Sequence, residues 1–139
     1  MSEYLLIFMF LISFSGNTQD IFGKWKTIDG QNNEAKSIVE IYERDGEVFG
    51  RIIDILNPEN KEALCTNCEG EDYNKPVLGF ELIKNLSKDG KYYKNGTIFD
   101  PEHGKKFKCR LMLTEDPDVL QVRGYVAFLY STQYWQRVE

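Results

Sequence analysis

Three cysteines and one histidine carry most of the reactive chemistry available to this chain. Cys65-Thr66-Asn67-Cys68 has the spacing of a dithiol redox pair, which needs a thiolate stabilised by a helix N-terminus or nearby cations. Glu62, Glu69, Glu71 and Asp72 surround it instead, and carboxylates hold thiols protonated. Cys65, Cys68, Cys109 and His103 would supply a Cys₃His zinc set. A second Cys-x-x-Cys or a His-rich half is missing, so neither a metal nor another cofactor is expected. A disulfide remains, either Cys65–Cys68 or one of these with Cys109. The loop pair Cys65–Cys68 is the leading reading. Cys109 alternates in phase with Phe107 and Leu111, which fits a buried free thiol if the loop pair forms.

His103 lies in the turn Asp100-Pro101-Glu102-His103-Gly104, where Pro101 fixes φ and Asp100 can accept from local amides. A serine–histidine–carboxylate relay would have to borrow its base from this exposed turn. Paired carboxylates for glycoside hydrolysis are numerically available among 22 acids, but no pair is singled out. No catalytic residue is assigned, and the chain reads as a non-enzyme. With 17 Lys+Arg against 22 Asp+Glu the net charge is −5, unsuited to polyanion binding. The local stripe Lys105, Lys106, Lys108, Arg110 reads as the solvent face of a strand, since its alternation places no aromatics among the cations. Nucleic acid is therefore not an expected partner.

The elements that must position these residues are short strands. Residues 1–18 stand apart: Leu5–Ile12 is an unbroken apolar run, too short for a bilayer but long enough for a secretory h-region. The start, Met1-Ser2-Glu3-Tyr4, lacks the usual positive charge. Residues 1–18 are expected to be a removable leader and 19–139 a single domain, exported to the periplasm or secreted. Loss of Glu3 leaves 17 basic against 21 acidic groups, a net charge of −4. Within the domain, strands are expected at 25–28, 37–42, 48–56, 92–99, 106–113, 120–126 and 133–138, with 80–86 either strand or helical turn. Asp45-Gly46 marks a hairpin, Gly50 a bulge or close approach, and 57–76 the one long loop. About eight antiparallel strands predict an all-β, up-and-down barrel, because closure removes exposed edges.

In a closed barrel the first and last strands are neighbours, so Arg137 can stack on Trp25. Such a barrel is just wide enough to be filled or to hold one small ligand. Arg123 has the parity of Gln121 and Tyr125, opposite Val122. An arginine turned into the bore would need a carboxylate (Asp100, Glu40 or Asp54) or a ligand anion. Candidate ligand-binding residues are therefore Trp25, Tyr42, Arg123, Tyr125 and Gln133, with Tyr42, Gln133 and Tyr134 placed to line or plug a mouth.

The Gly23-Lys24-Trp25 start with a basic residue on the final strand is similar to the lipocalin and fatty-acid-binding superfamily. A longer set of stretches resembles a bacterial lipocalin-like family, domain-of-unknown-function family 2147. These are Lys75–Gly79, Gly96–Gly104, Val122–Tyr125 and Thr132–Val138, besides Gly23–Trp25. The resemblance implies a lipocalin-like barrel with Gly23, Asp100, Pro101, Gly104, Trp135 and Arg137 in structural roles, and an exported protein without established activity. Two functions are expected from residues and resemblance together. One is the carriage of a small apolar or amphipathic ligand in the barrel, with no membrane span in the mature chain. The other is a packed barrel without cavity, acting through its 57–76 loop.

Overall fold

Alternation of apolar and polar residues at a period of two recurs along the chain, and each such run becomes a strand. The computed structural model describes residues 20–139; the expected leader at 1–18 lies outside the described residues. The strands are β1 (Gly23–Ile28), β2 (Ala35–Arg44), β3 (Glu47–Ile55), β4 (Glu81–Asp89), β5 (Tyr92–Asp100), β6 (Lys105–Leu113), β7 (Val119–Val126) and β8 (Leu129–Val138). Each pairs antiparallel with the next, and β1 pairs with β8, so the sheet closes as an up-and-down barrel. No helix among the described residues is long and apolar enough to cross a membrane.

The ambiguous segment at 80–86 is strand β4. Its pattern obscured this because Leu82 and Ile83 are adjacent and both buried. Ile83 pairs with Ile98 and Gly50 and enters the bore, whereas Leu82 lies outside, beside Cys68 and Phe99. Strand β8 begins at Leu129, four residues before the expected Gln133. The long loop contains two short 3-10 turns, Pro58–Asn60 and Gly70–Asp72, and a bridge between Leu64 and Pro76.

The seven connections between strands alternate between the ends of the barrel. One end holds the 45–46, 90–91 and 114–118 turns with Asp20–Phe22; the other holds the 29–34 turn, the long loop, the 101–104 turn and the β7–β8 turn. Inward residues from the first end to mid-height form one continuous core. Trp25, Val39, Ile41, Ile83, Leu86, Leu111, Leu120, Val122 and Trp135 are all at most 5% exposed. Each large aliphatic side chain so buried contributes roughly 1.5–3 kcal/mol.

Two glycines allow the wall to draw in. A Cβ at Gly50 would sit 3.2 Å from Ile83 and 3.3 Å from Val39. One at Gly96 would overlap the Lys84 carbonyl oxygen across the β4–β5 pair. Cys109 lies in the core, and burial pushes its thiol from 9.0 to about 12. The native chain therefore keeps a proton that the unfolded chain loses above pH 9. This group's contribution to stability is intact below pH 9 and is lost as pH rises toward 12.

Two outcomes follow from this packing. Gly96→Ala is expected to lower unfolding free energy by about 3 kcal/mol in urea denaturation, because backbone cannot yield as a side chain can. A thiol reagent at mildly alkaline pH is expected to find no reactive cysteine in the native protein. Concentrated guanidinium should release one thiol per chain, that of Cys109.

Candidate functional site

Arg137 seals the closed end. Its guanidinium lies 4.4 Å from the Trp25 ring centroid and donates to the carbonyls of Asp20 (2.8 Å), Pro117 (3.0 Å) and Phe22 (3.2 Å). Asp118 adds an ion pair at 3.4 Å. The Trp25 indole donates to the Ile21 carbonyl at 2.8 Å, drawing the incoming segment across the barrel floor. Trp25 thus belongs to the floor, fully buried, and offers no surface to a ligand.

The opposite end, where the inward residues are only half-buried, has two unlike walls. Above the buried layer of Cys109 and Val122, the inward positions of β5 and β6 are Ile98 and Phe107, both half-buried. Gly124 on β7 carries no side chain, and a Cβ there would stand 3.4 Å from Phe107. Facing them across the bore, β1, β2 and β8 present Thr27, Ser37 and Gln133. Thr27 and Ser37 share a hydrogen bond of 2.9 Å, and Gln133 accepts from the Trp135 indole at 2.9 Å. The inward layer at this end, the cup, is apolar on one side and carries hydroxyl and amide groups on the other. Lys36 stands on the rim between Asp29 (3.2 Å) and Glu102 (3.3 Å). The Gln31 amide and Lys36 together hold the Asp29 carboxyl below its ordinary range.

Of the five candidate ligand-binding residues, only Gln133 faces this cup. Arg123 and Tyr125 lie on the outer wall, because Leu120, Val122 and Gly124 take the inward parity of β7. Arg123 needs none of the expected carboxylates: it donates to Thr132 Oγ1 at 3.0 Å and stacks 4.3 Å from the Tyr130 ring. Tyr134 is exposed on the same outer wall. Tyr42 is likewise external, stacked on Phe49 and donating to Glu81, which also receives Arg44 at 3.0 Å. Burial, then the Glu81 carboxylate, raises the Tyr42 phenol above its ordinary value. Solvation explains these placements, since arginine and tyrosine keep polar tips wet on an outer wall while their stems cover apolar surface. The cup residues missed from sequence, Ile98, Phe107, Thr27 and Ser37, share the core's parity along their strands. Proximity to an open end, which decides the role, is not a sequence property.

The long loop folds against the outer wall of β4–β6. Cys65 and Cys68 form a disulfide, both buried, with Cα atoms 5.3 Å apart. Asn67 donates to the Glu102 carbonyl at 2.7 Å, and Gly104 fits under Asn67 where a Cβ would collide. The Asp100 carboxylate accepts from the amides of Glu102 and His103 and meets the His103 ring at 2.8 Å, fixing the turn that the loop grips. Phe80 packs on Phe99 beneath the loop. Two hollows, of about 350 and 330 Å³, open between loop and wall and are lined by Asp72, Glu81, Lys84 and Phe80. Asp100, Glu102 and His103 could bring three ligand atoms together, but they sit on an exposed turn whose carboxylate already serves its own backbone.

The disulfide closes only a short loop, so its role is local. The double variant Cys65→Ala, Cys68→Ala is expected to leave the barrel's circular dichroism unchanged. Limited proteolysis should then cut within residues 57–76 at least about tenfold faster, since local opening controls cleavage.

No curated protein matches the chain. Among solved structures, the chain is similar to HP1028 from the human pathogen Helicobacter pylori, which belongs to the lipocalin family. The two share 19% identity with a TM-score of 0.77, over 88% of this chain and 85% of that one. This likeness establishes the lipocalin fold. The model of a family of uncharacterised proteins conserved in bacteria, DUF2147, matches residues 23–137. The match runs from the glycine that opens β1 to the arginine that seals the barrel floor, and the chain belongs to that bacterial family.

Proposed function

We propose that this chain is an exported, non-catalytic binding protein that takes a small amphipathic molecule in the cup at the open end of its barrel. The observation that carries this reading is the division of the cup, with Ile98 and Phe107 on one wall and Thr27, Ser37 and Gln133 on the other. An apolar face fits the first wall and hydrogen-bonding groups fit the second, the usual composition of a small-molecule site. The lipocalin fold supports binding over catalysis. Export is supported by the buried Cys65–Cys68 disulfide, a bond that persists in oxidising compartments, and by the apolar run at Leu5–Ile12.

The outer hollows favour a second reading, in which the disulfide-braced loop at 57–76 binds a partner at the surface. Titration with 1-anilinonaphthalene-8-sulfonate separates the two. Cup binding is expected to raise and blue-shift the dye's emission and to perturb Trp135, whose indole is bonded to Gln133. Phe107→Ser should weaken the dye by roughly tenfold with the fold retained, the loss typical of one apolar anchor. A saturable dye signal insensitive to Phe107→Ser, or none at all, would sink the cup and leave the loop.

A further inference from the structure

The charged groups above the cup bear on what kind of molecule it takes. Asp29 lies two residues beyond Thr27, and Lys36 immediately precedes Ser37, so both stand at the outer end of the hydroxyl wall. Glu102 lies in the turn that joins β5 to β6, the strands carrying Ile98 and Phe107 on the apolar wall. The Lys36 ammonium lies 3.2 Å from Asp29 and 3.3 Å from Glu102. Strands β2 and β5 are not neighbours: β3 and β4 separate them on one side of the ring, and β6, β7, β8 and β1 on the other. A direct ion pair between their outer ends therefore crosses above the bore and does not follow the wall.

The acceptors of this bridge are better fixed than its donor. Asp29 is held by the Gln31 amide at 2.7 Å. The backbone at Glu102 is set by the Asp100 carboxylate, which accepts its amide at 3.0 Å, and by Asn67, which donates to its carbonyl at 2.7 Å. Lys36 arrives on a flexible four-carbon stem, and its side chain stays half exposed. Exposed ion pairs of this kind are weak, so another ammonium can take the place.

The balance of charge at this end is negative. Around the cup stand Asp29, Glu34, Asp100 and Glu102 against Lys36 and Lys105. Lys105 shares the parity of Phe107 and is in register with Asp100. Glu59 and Glu62 of the long loop add to the acids of the same end, while Lys61 is paired with Asp54. Lys106 faces the outer hollow. An anionic guest would meet charge of its own sign here; a cationic one would relieve it.

We propose that the guest of the cup is an amphipathic amine, a small apolar body bearing one ammonium group. The body lies on Ile98 and Phe107, and the ammonium takes the place of the Lys36 ammonium between Asp29 and Glu102. Lys36 is then a built-in stand-in for the guest and swings into solvent when the guest enters. This inference rests on the cup being the binding site and names the ligand class for it.

Two naphthalene probes of similar size and opposite charge, 1-naphthylmethylamine and 1-naphthylacetate, test it by isothermal titration calorimetry on the full chain. At neutral pH and low salt the amine is expected to bind at least about tenfold tighter, with the preference shrinking as salt is added. Lys36→Met removes the competing ammonium and should tighten the amine roughly threefold. Asp29→Asn with Glu102→Gln should erase the preference, with circular dichroism reporting the fold of each variant. Phe107→Ser should weaken both probes alike, because it alters only the apolar wall. Equal affinities for the two probes overturn the amine. So does a preference that survives Asp29→Asn with Glu102→Gln, or an amine affinity unchanged or lowered by Lys36→Met. In each of those cases a loss of affinity in Phe107→Ser leaves the cup standing. Binding of neither probe, or binding indifferent to Phe107→Ser, overturns the cup and the amine with it.

Discussion

Closure of the barrel rests on the contact of Arg137 with Trp25. Strands β1 and β8 share only three register pairs, Lys24–Val138, Trp25–Arg137 and Lys26–Gln136, the shortest seam apart from the bulged β3–β4 pair. Backbone pairing at such a seam is weak, and two edges would be exposed if it opened. The stack contributes roughly 0.5–2 kcal/mol, and the carbonyls of Asp20, Phe22 and Pro117 find their donors on the same guanidinium. Lysine has neither the planar face nor the forked donors for this. With the seam shut, every other strand has two neighbours and one buried face.

That closure divides the molecule into a dry half and a wet half. Below Cys109 the bore is filled by buried apolar side chains; above it the inward residues are half-buried and polar groups appear among them. The outer wall of β4–β6 carries a second, smaller apolar layer of Phe80, Leu82 and Phe99, roofed by the long loop and its disulfide. The outer wall of β6–β8 is different, with Arg110 stacked on Tyr92 and bonded to Gln121, and Arg123 stacked on Tyr130. One sheet thus presents a packed interior, a roofed flank and an aromatic–cationic flank.

The fold was readable from alternation, and the closing contact from the residues at the two chain ends of the domain. Strand β4 was ambiguous because Leu82 and Ile83 are buried on opposite sides of the wall, which breaks the period on which reading depends. The start of β8 is not legible in the sequence because its hairpin lacks turn residues: Val126-Ala127-Phe128-Leu129 contains no Gly, Asn, Asp or Pro. Arg123, Tyr125 and Tyr42 interrupt apolar runs, a pattern that fits a polar group lining the bore as well as one on the outer wall. Parity already set Arg123 against Val122, and only the orientation of the whole strand could decide which of the two faced inward.

The height at which the core stops has a consequence for what the cup can admit. From Cys109 to the rim at Lys105 is four residues of a tilted strand, about 10 Å of depth along the barrel axis. On the proposed reading that depth would take a fused ring system or a short acyl stub, whereas a long chain would meet Cys109 and Val122 and project back out. A guest bound as proposed would be held by its end, as a stopper sits in a neck, and most of its length would stay outside the barrel.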